Sequence, residues 1–362
     1  MRPSRLLGAL VAAAVAVTLS PLTVTAQPPP SRAGEDDGPP VIEIGPATSV
    51  ISAISHSVAV SRARFAPVAG PQSVAQTAIA SHVVIARSDV FADALAGTVL
   101  LGRGPMLLSD GDGLAEDVEE ELRRTLGDAG LVYLLGGEAA LGTGVAEELV
   151  ALGYDVIRLS GPTRIETAIA IANEAEQVGA LTDVALVRAD GPFIDGSAWA
   201  DSVTAGVWAA RDRVPVLLTP TEALHPSVSA WLSERPSVSR VVVGGVAAVT
   251  EEVAGAASAD RRIAGSNRFS TAVAVSDELL TTDQAGYVIA NGSDPDAWAF
   301  ALPATGYAAD LSWPMLLVAQ GVIPAETGEA TCRDGVRAPA RFVGDYTMIS
   351  AMQRDFLESP CP

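Results

Sequence analysis

The chain has 362 residues, a mean hydropathy of +0.31, a formal net charge of −20 and 23 basic residues, every one of them arginine. That balance excludes non-specific nucleic-acid binding, which needs a basic surface to release counterions, and it leaves no polybasic patch for an anionic lipid surface. The length allows two or three domains with buried cores.

Residues 1–26 join Arg2 and Arg5 to a short apolar run and the small-x-small end Val24-Thr25-Ala26, the pattern of a secretory signal peptide. No other run approaches the ~20 apolar residues that span a bilayer, so no membrane contact is expected after its removal. Residues 27–40 carry five prolines, two glycines and Glu35-Asp36-Asp37, a disordered linker by composition. From residue 83 the chain alternates short apolar runs with helix-like segments. Residues 83–86, 105–108, 131–135 and 154–157 read as buried strands, and 91–97 as a helix. Leu114, Val118, Leu122 and Leu126 give a further helix an apolar stripe, with Glu116, Asp117, Glu119, Glu120 and Glu121 on a solvated face. Strands apolar on both faces and joined by helices describe a parallel sheet covered on two sides.

The same order then recurs. Gly161-Pro-Thr-Arg164-Ile-Glu-Thr167-Ala168 and Gly265-Ser-Asn-Arg268-Phe-Ser-Thr271-Ala272 share G-x-x-R-x-x-T-A, and strands end in Gly136-Gly137 and Gly244-Gly245. Asp93 after Phe91 matches Asp201 after Trp199, whereas Phe300 stands in that place after Trp298. Residues 70–80 resemble the octet with one extra residue and no arginine. The expected organisation is a first unit over 41–160, a second over 161–264 and a third, degenerate one over 265–362. Helices near Gly70, Gly161 and Gly265 would open them. Cys332 and Cys361, the only cysteines, are expected to pair in an exported chain, closing a loop worth ~3 kcal/mol.

Two readings of Arg164 and Arg268 stand side by side. Each sits in a helix's first turn, where the macrodipole disfavours a cation by ~0.3–1 kcal/mol. Either it takes an anionic or hydroxyl-rich ligand bidentately, or it pairs with Asp93, Asp201 or a neighbouring carboxylate to hold units in register. Thr167 and Thr271, one turn on, would share either role. Thr163 with Glu166 reads as a capping box, and Ser266 with Phe269 lacks one. Asp89 with Asp93, and Asp190 with Asp195 and Asp201, cluster at strand ends, where open parallel sheets bind ligands. They would suit a glycosidase or a bridging calcium ion, although no loop has EF-hand spacing. The three histidines are scattered, and no G-x-G-x-x-G, Walker or G-x-S-x-G sequence occurs, so no cofactor and no catalytic set is expected. Trp199 and Trp298 would either stack on sugars or pack in the core.

The octets, the Gly-Gly strand ends and the Phe/Trp-Ala-Asp element together resemble the cell wall binding repeat 2 family, over residues 70–362. The resemblance implies three tandem Rossmann-like or flavodoxin-like α/β modules packed with pseudo-threefold symmetry. It also implies non-covalent retention on a Gram-positive cell wall through an anionic polysaccharide held in grooves between modules. The protein would then be a secreted or wall-located surface anchor and not an enzyme. A secreted enzyme acting on wall glycans and a structural or adhesion protein are the alternatives.

Overall fold

The computed structural model describes residues 52–65, 80–189, 199–280 and 285–361. The signal, the linker and residues 70–79 of the octet-like segment lie outside them. The first unit runs α1 (Ala53–Arg64), β1 (His82–Arg87), a 3₁₀ helix (Ala96–Gly102), β2 (Met106–Ser109), α2 (Glu116–Leu126), β3 (Leu131–Leu135), α3 (Thr143–Ala151) and β4 (Asp155–Leu159). The second runs α4 (Arg164–Val178), β5 (Asp183–Arg188), α5 (Ala200–Asp212), β6 (Val216–Thr219), α6 (Pro226–Ser233), β7 (Ser239–Val243), α7 (Glu251–Ala256) and β8 (Arg261–Ile263). The third runs α8 (Arg268–Leu279), β9 (Tyr287–Asn291), α9 (Trp298–Leu311), β10 (Met315–Val318), α10 (Ala325–Ala330), the hairpin β11 (Cys332–Arg333) and β12 (Val336–Arg337), β13 (Ala340–Phe342) and α11 (Ala351–Glu358). Cys332 and Cys361 form a disulfide.

The sheets are parallel, ordered β2-β1-β3-β4, β6-β5-β7-β8 and β10-β9-β13. Alternation along each strand decides which side is covered by what. Val83, Ile85, Leu107, Val132 and Leu134 pack outward with Val118 and Leu122 of α2 and Val145 of α3. Val84, Ala86, Leu108, Tyr133 and Leu135 turn inward, into a core that runs through the other units. The inner side explains why the strands are apolar on both faces.

At the centre the 3₁₀ helix, α5 and α9 pack on one another. Thr98, Gly206 and Thr305, seven residues beyond Phe91, Trp199 and Trp298, converge there. A Cβ on Gly206 would stand 2.9 Å from Thr98 Cγ2 and 3.0 Å from Thr305 Cγ2. This is the pseudo-threefold axis. The first of these segments was expected to be an α-helix over 91–97, yet it is a turn leading into a 3₁₀ helix. Gly97 and Gly102 replace Ala205 and Ala210 of α5 and Ala304 and Ala309 of α9, and each glycine costs a helix interior ~1 kcal/mol.

Each opening helix serves two units. α4 packs on the 3₁₀ helix of the first and β6 of the second, α8 on α5 and β10, and α1 on α9 and β2. So α1, and not a helix near Gly70, stands where α4 and α8 stand, and the chain closes a ring. Closure is fastened by Arg64, whose buried side chain pairs with Asp310 of α9 at 2.6 and 2.9 Å and donates to Gly104 O at 2.8 Å. Glu121 departs from the solvated face expected of it. It is fully buried between α2 and α1, bound by Arg124 at 2.6 and 2.7 Å, by Arg62 at 3.3 Å and by the Ser61 hydroxyl. A buried carboxylate needs such partners, because losing one would leave an uncompensated charge.

Gly206→Val should lower stability by ~1–3 kcal/mol, because the axis has no room for the added carbons. Gly255→Ala, in α7 with nothing within 4 Å of the added carbon, should be neutral or stabilising by up to ~1 kcal/mol. Urea denaturation of both variants checks the contrast.

Candidate binding crevices

The three opening helices begin alike. Ser52, Thr163 and Asn267 are N-caps whose side chains accept from backbone N–H groups of the first turn. The expected weakness of the second octet is corrected here: its cap is Asn267 and not Ser266, and Asn267 with Ser270 forms a complete capping box. Counting from the caps, Ala53, Arg164 and Arg268 are equivalent, and so are His56, Thr167 and Thr271.

Thr167 and Thr271 are buried, and their hydroxyls accept from the amides of Gly161 at 3.2 Å and Gly265 at 3.0 Å. The octet thus folds back on its own first residue. That approach requires glycine, since a Cβ on Gly161 would overlap Glu166 and one on Gly265 would overlap Ser270. The arginines reach outward instead. Arg164 Nη1 donates to Ala189 O at 3.0 Å, and Arg268 Nη1 to Gly292 O at 2.6 Å, both just past the first strand of their own unit. The Arg164 guanidinium also lies 5.8 Å from the Phe91 ring of the preceding unit.

On the first unit this places Arg164 and Thr167 in one depression of about 380 Å³ with Arg87, Asp93 and Gly137. It lies beyond the carboxyl ends of β1, β3 and β4, where strand order β2-β1-β3-β4 switches direction and open α/β sheets take ligands. Asp93 fits beneath Gly136, a left-handed residue with φ of 98° whose missing Cβ admits the carboxylate. Among the described residues no ion pair joins Asp93 to Arg164. Asp89 is exposed and bound bidentately by Arg87 at 2.5 and 2.7 Å, which holds its carboxyl below the usual range.

The second unit repeats the plan with a stronger charge pattern. Asp201 lies under Gly244, whose φ is 120°, with its Oδ2 2.6 Å from where a Cβ would stand. Burial pushes its carboxyl up to about 6, against the pull of Arg188 and Arg268. Among the described residues, Arg188 Nε, Trp199 Nε1 and Ser202 Oγ are buried without a hydrogen-bond partner. Asp190 and Asp195 lie outside the described residues. Trp199 and Trp298 are buried in the shared core, with Phe91 edge-on to Trp298 at 6.0 Å between ring centroids.

The third junction, between α9 and α1, is sealed. Ala53 stands at the arginine position and Phe300 at the aspartate position, so the two departures seen in sequence meet at one interface. His56 lies 4.8 Å from the Phe300 ring between centroids and bonds its carbonyl oxygen at 3.1 Å; burial pushes the imidazole down to about 4, keeping it neutral. Asn291, equivalent to Arg87 and Arg188, is occupied by Gln320 and the Met348 carbonyl at 2.7 and 2.8 Å. Sequence reading missed this junction because 53 and 300 are far apart in the chain.

Fold and site define a three-repeat parallel α/β protein with an arginine-lined depression at its first junction and an equivalent arginine–aspartate cluster at its second. Residues 52–146, 158–254 and 262–352 each match the family described as cell wall binding domain 2 (CWB2), and the chain belongs to that family. It is 26% identical over 220 residues to the N-acetylmuramoyl-L-alanine amidase LytC of Bacillus subtilis (strain 168), a stretch covering 60% of this chain and 42% of the amidase. Among solved structures it resembles Cwp6 from Clostridium difficile, with a TM-score of 0.72 at 18% identity over 85% of this chain and 47% of that one. It also resembles Cwp8 from the same organism, with a TM-score of 0.69 at 23% identity over 84% and 50%. The chain spans half or less of the length of these relatives. No helix among the described residues is long and apolar enough to cross a membrane.

The raised Asp201 carboxyl has a measurable sign. The folded state holds a proton there that the unfolded chain, with an ordinary value of 3.8, has released, so this group's stabilisation is full below pH ~4 and is lost as pH rises through about 6. Asp201→Asn should therefore flatten the stability change between pH 4 and 6. Denaturant midpoints of both proteins across that range test it; an unchanged slope would refute the assignment.

Proposed function

We propose that this protein binds an anionic cell-wall polysaccharide non-covalently, as an exported anchoring or surface protein of a Gram-positive wall, without acting as an enzyme. The observation that supports the reading most directly is the second-unit crevice. There two arginines, Arg188 and Arg268, act on one carboxylate, Asp201, that is easily neutralised. A guanidinium suits carboxylate and phosphate groups because its fork of N–H donors matches their geometry. Family membership supports wall binding in general, and the match to the amidase falls on less than half of that protein.

In this reading ligand is taken at two places, by Arg164 with Asp93 and by Arg268 with Asp201 and Arg188, and the sealed third junction serves only to close the ring. Module boundaries at 41–160, 161–264 and 265–362 describe the repeat in sequence. The opening helices α4 and α8 nonetheless each bring their arginine to the unit before. A net charge of −20 repels a polyanion over the ~8 Å Debye length of physiological salt, so binding rests on these local arginines, on neutral sugar hydroxyls or on a bridging divalent cation.

Arg164→Ala and Arg268→Ala should each weaken depletion of the protein by purified cell walls by about tenfold, or ~1.4 kcal/mol, and the double variant should remain in the supernatant. Repeating the assay with a chelator separates a bridging cation from direct arginine contact. Retention of the double variant on the wall would refute the crevices as the site. Release of soluble glycan or peptide fragments from the wall would refute the non-enzymatic reading.

A further inference from the structure

At the other end of the strands from the arginine crevices, where β1 and β3 begin, a pocket of about 300 Å³ opens between the first unit and α4. Leu100, Leu131, Tyr133 and Val178 make its mainly apolar wall, and Arg103 and Arg213 line it too. Its size matches the lower end of the ~300–1,000 Å³ of small-molecule sites.

The hole has an origin in the repeat. Counted from Thr98, Gly206 and Thr305, Leu100 is equivalent to Trp208 and Tyr307, both buried. A leucine leaves empty what an indole or a phenol fills in the other units. Tyr133, where β7 has Val241, does not refill the space, since its hydroxyl donates to Glu174 at 2.8 Å.

The pocket's chemistry is one-sided. His82 Nε2 donates to Leu100 O at 2.6 Å and its Nδ1 meets the Ser81 hydroxyl at 2.9 Å, so the imidazole is already engaged. No Asp or Glu lines the pocket, in a chain with 43 of them. Of the five N–H donors a guanidinium carries, Arg213 gives one to Val178 O at 3.2 Å. We infer that this pocket binds a small amphipathic anion, its apolar body against Leu100 and Tyr133 and its carboxylate or sulfonate head on Arg103 and Arg213. The site is separate from the wall-binding crevices and does not depend on that reading.

The test is a fluorescence titration of the whole protein with 8-anilinonaphthalene-1-sulfonate, competed by decanoate and, separately, by the neutral decanol. Saturable one-to-one binding that decanoate displaces is expected. Leu100→Trp should weaken it by about tenfold or more while far-UV circular dichroism, the cooperative urea transition and wall binding are retained. Arg213→Ala and Arg103→Ala, at less buried positions, should weaken decanoate and leave decanol unaffected. Wild-type protein without saturable binding, or a folded Leu100→Trp variant that binds as well as wild type, would overturn the pocket. Equal loss of decanoate and decanol in the arginine variants would overturn the anionic head.

Discussion

Everything in this molecule depends on three central helical segments packing at Thr98, Gly206 and Thr305, where one position in three must lack a side chain. Close approach at that point draws the inner faces of three small sheets into one core. No unit then buries its apolar surface alone. The cost of opening that core falls on all three units at once, because an interior at native density cannot leave one wall uncovered.

The same constraint assigns each opening helix to two units. α4 and α8 carry an arginine in their first turn, and the packing of the axis sets that arginine over the strand ends of the unit before it. Its placement at a helix N-terminus is offset locally, by Thr163 and by the Asn267 capping box, and by carbonyl acceptors at Ala189 and Gly292. What brings arginine and aspartate together at these two junctions is therefore the contact of successive units, and neither unit has the pair without its neighbour.

The ring also explains an asymmetry that looked like decay. Loss of arginine at position 53 and loss of aspartate at position 300 concern a single junction, where His56 packs on Phe300 and Arg64 clasps Asp310. An isolated carboxylate under Gly344 without an arginine opposite would have been buried and unpaired, which costs several kcal/mol. Replacing both members together avoids that cost, and it puts an apolar seam where the other junctions are charged, holding α1 to the last unit. Two charged junctions remain, each bringing the arginine of an opening helix to the aspartate of the unit before it.

Much of this was legible in the sequence, because it depends on local chemistry. Strands apolar on both faces, Gly-Gly strand ends, repeated octets and paired cysteines specify parallel α/β units in tandem, since period and turn residues act within one element. The role of Thr167 and Thr271 was not legible, because a hydroxyl that caps its own loop and one that meets a ligand have the same spacing. Nor was the buried state of Glu121, whose partners come from α1, or the place of α1 itself, whose octet lacks both glycine and arginine. Pairing of Arg164 with the depression of Asp93, of Arg268 with Asp201, and of Ala53 with Phe300 was decided by the tertiary structure alone. Such pairs join residues from successive units, or from the two ends of the chain, and only closure of the ring brings them within reach.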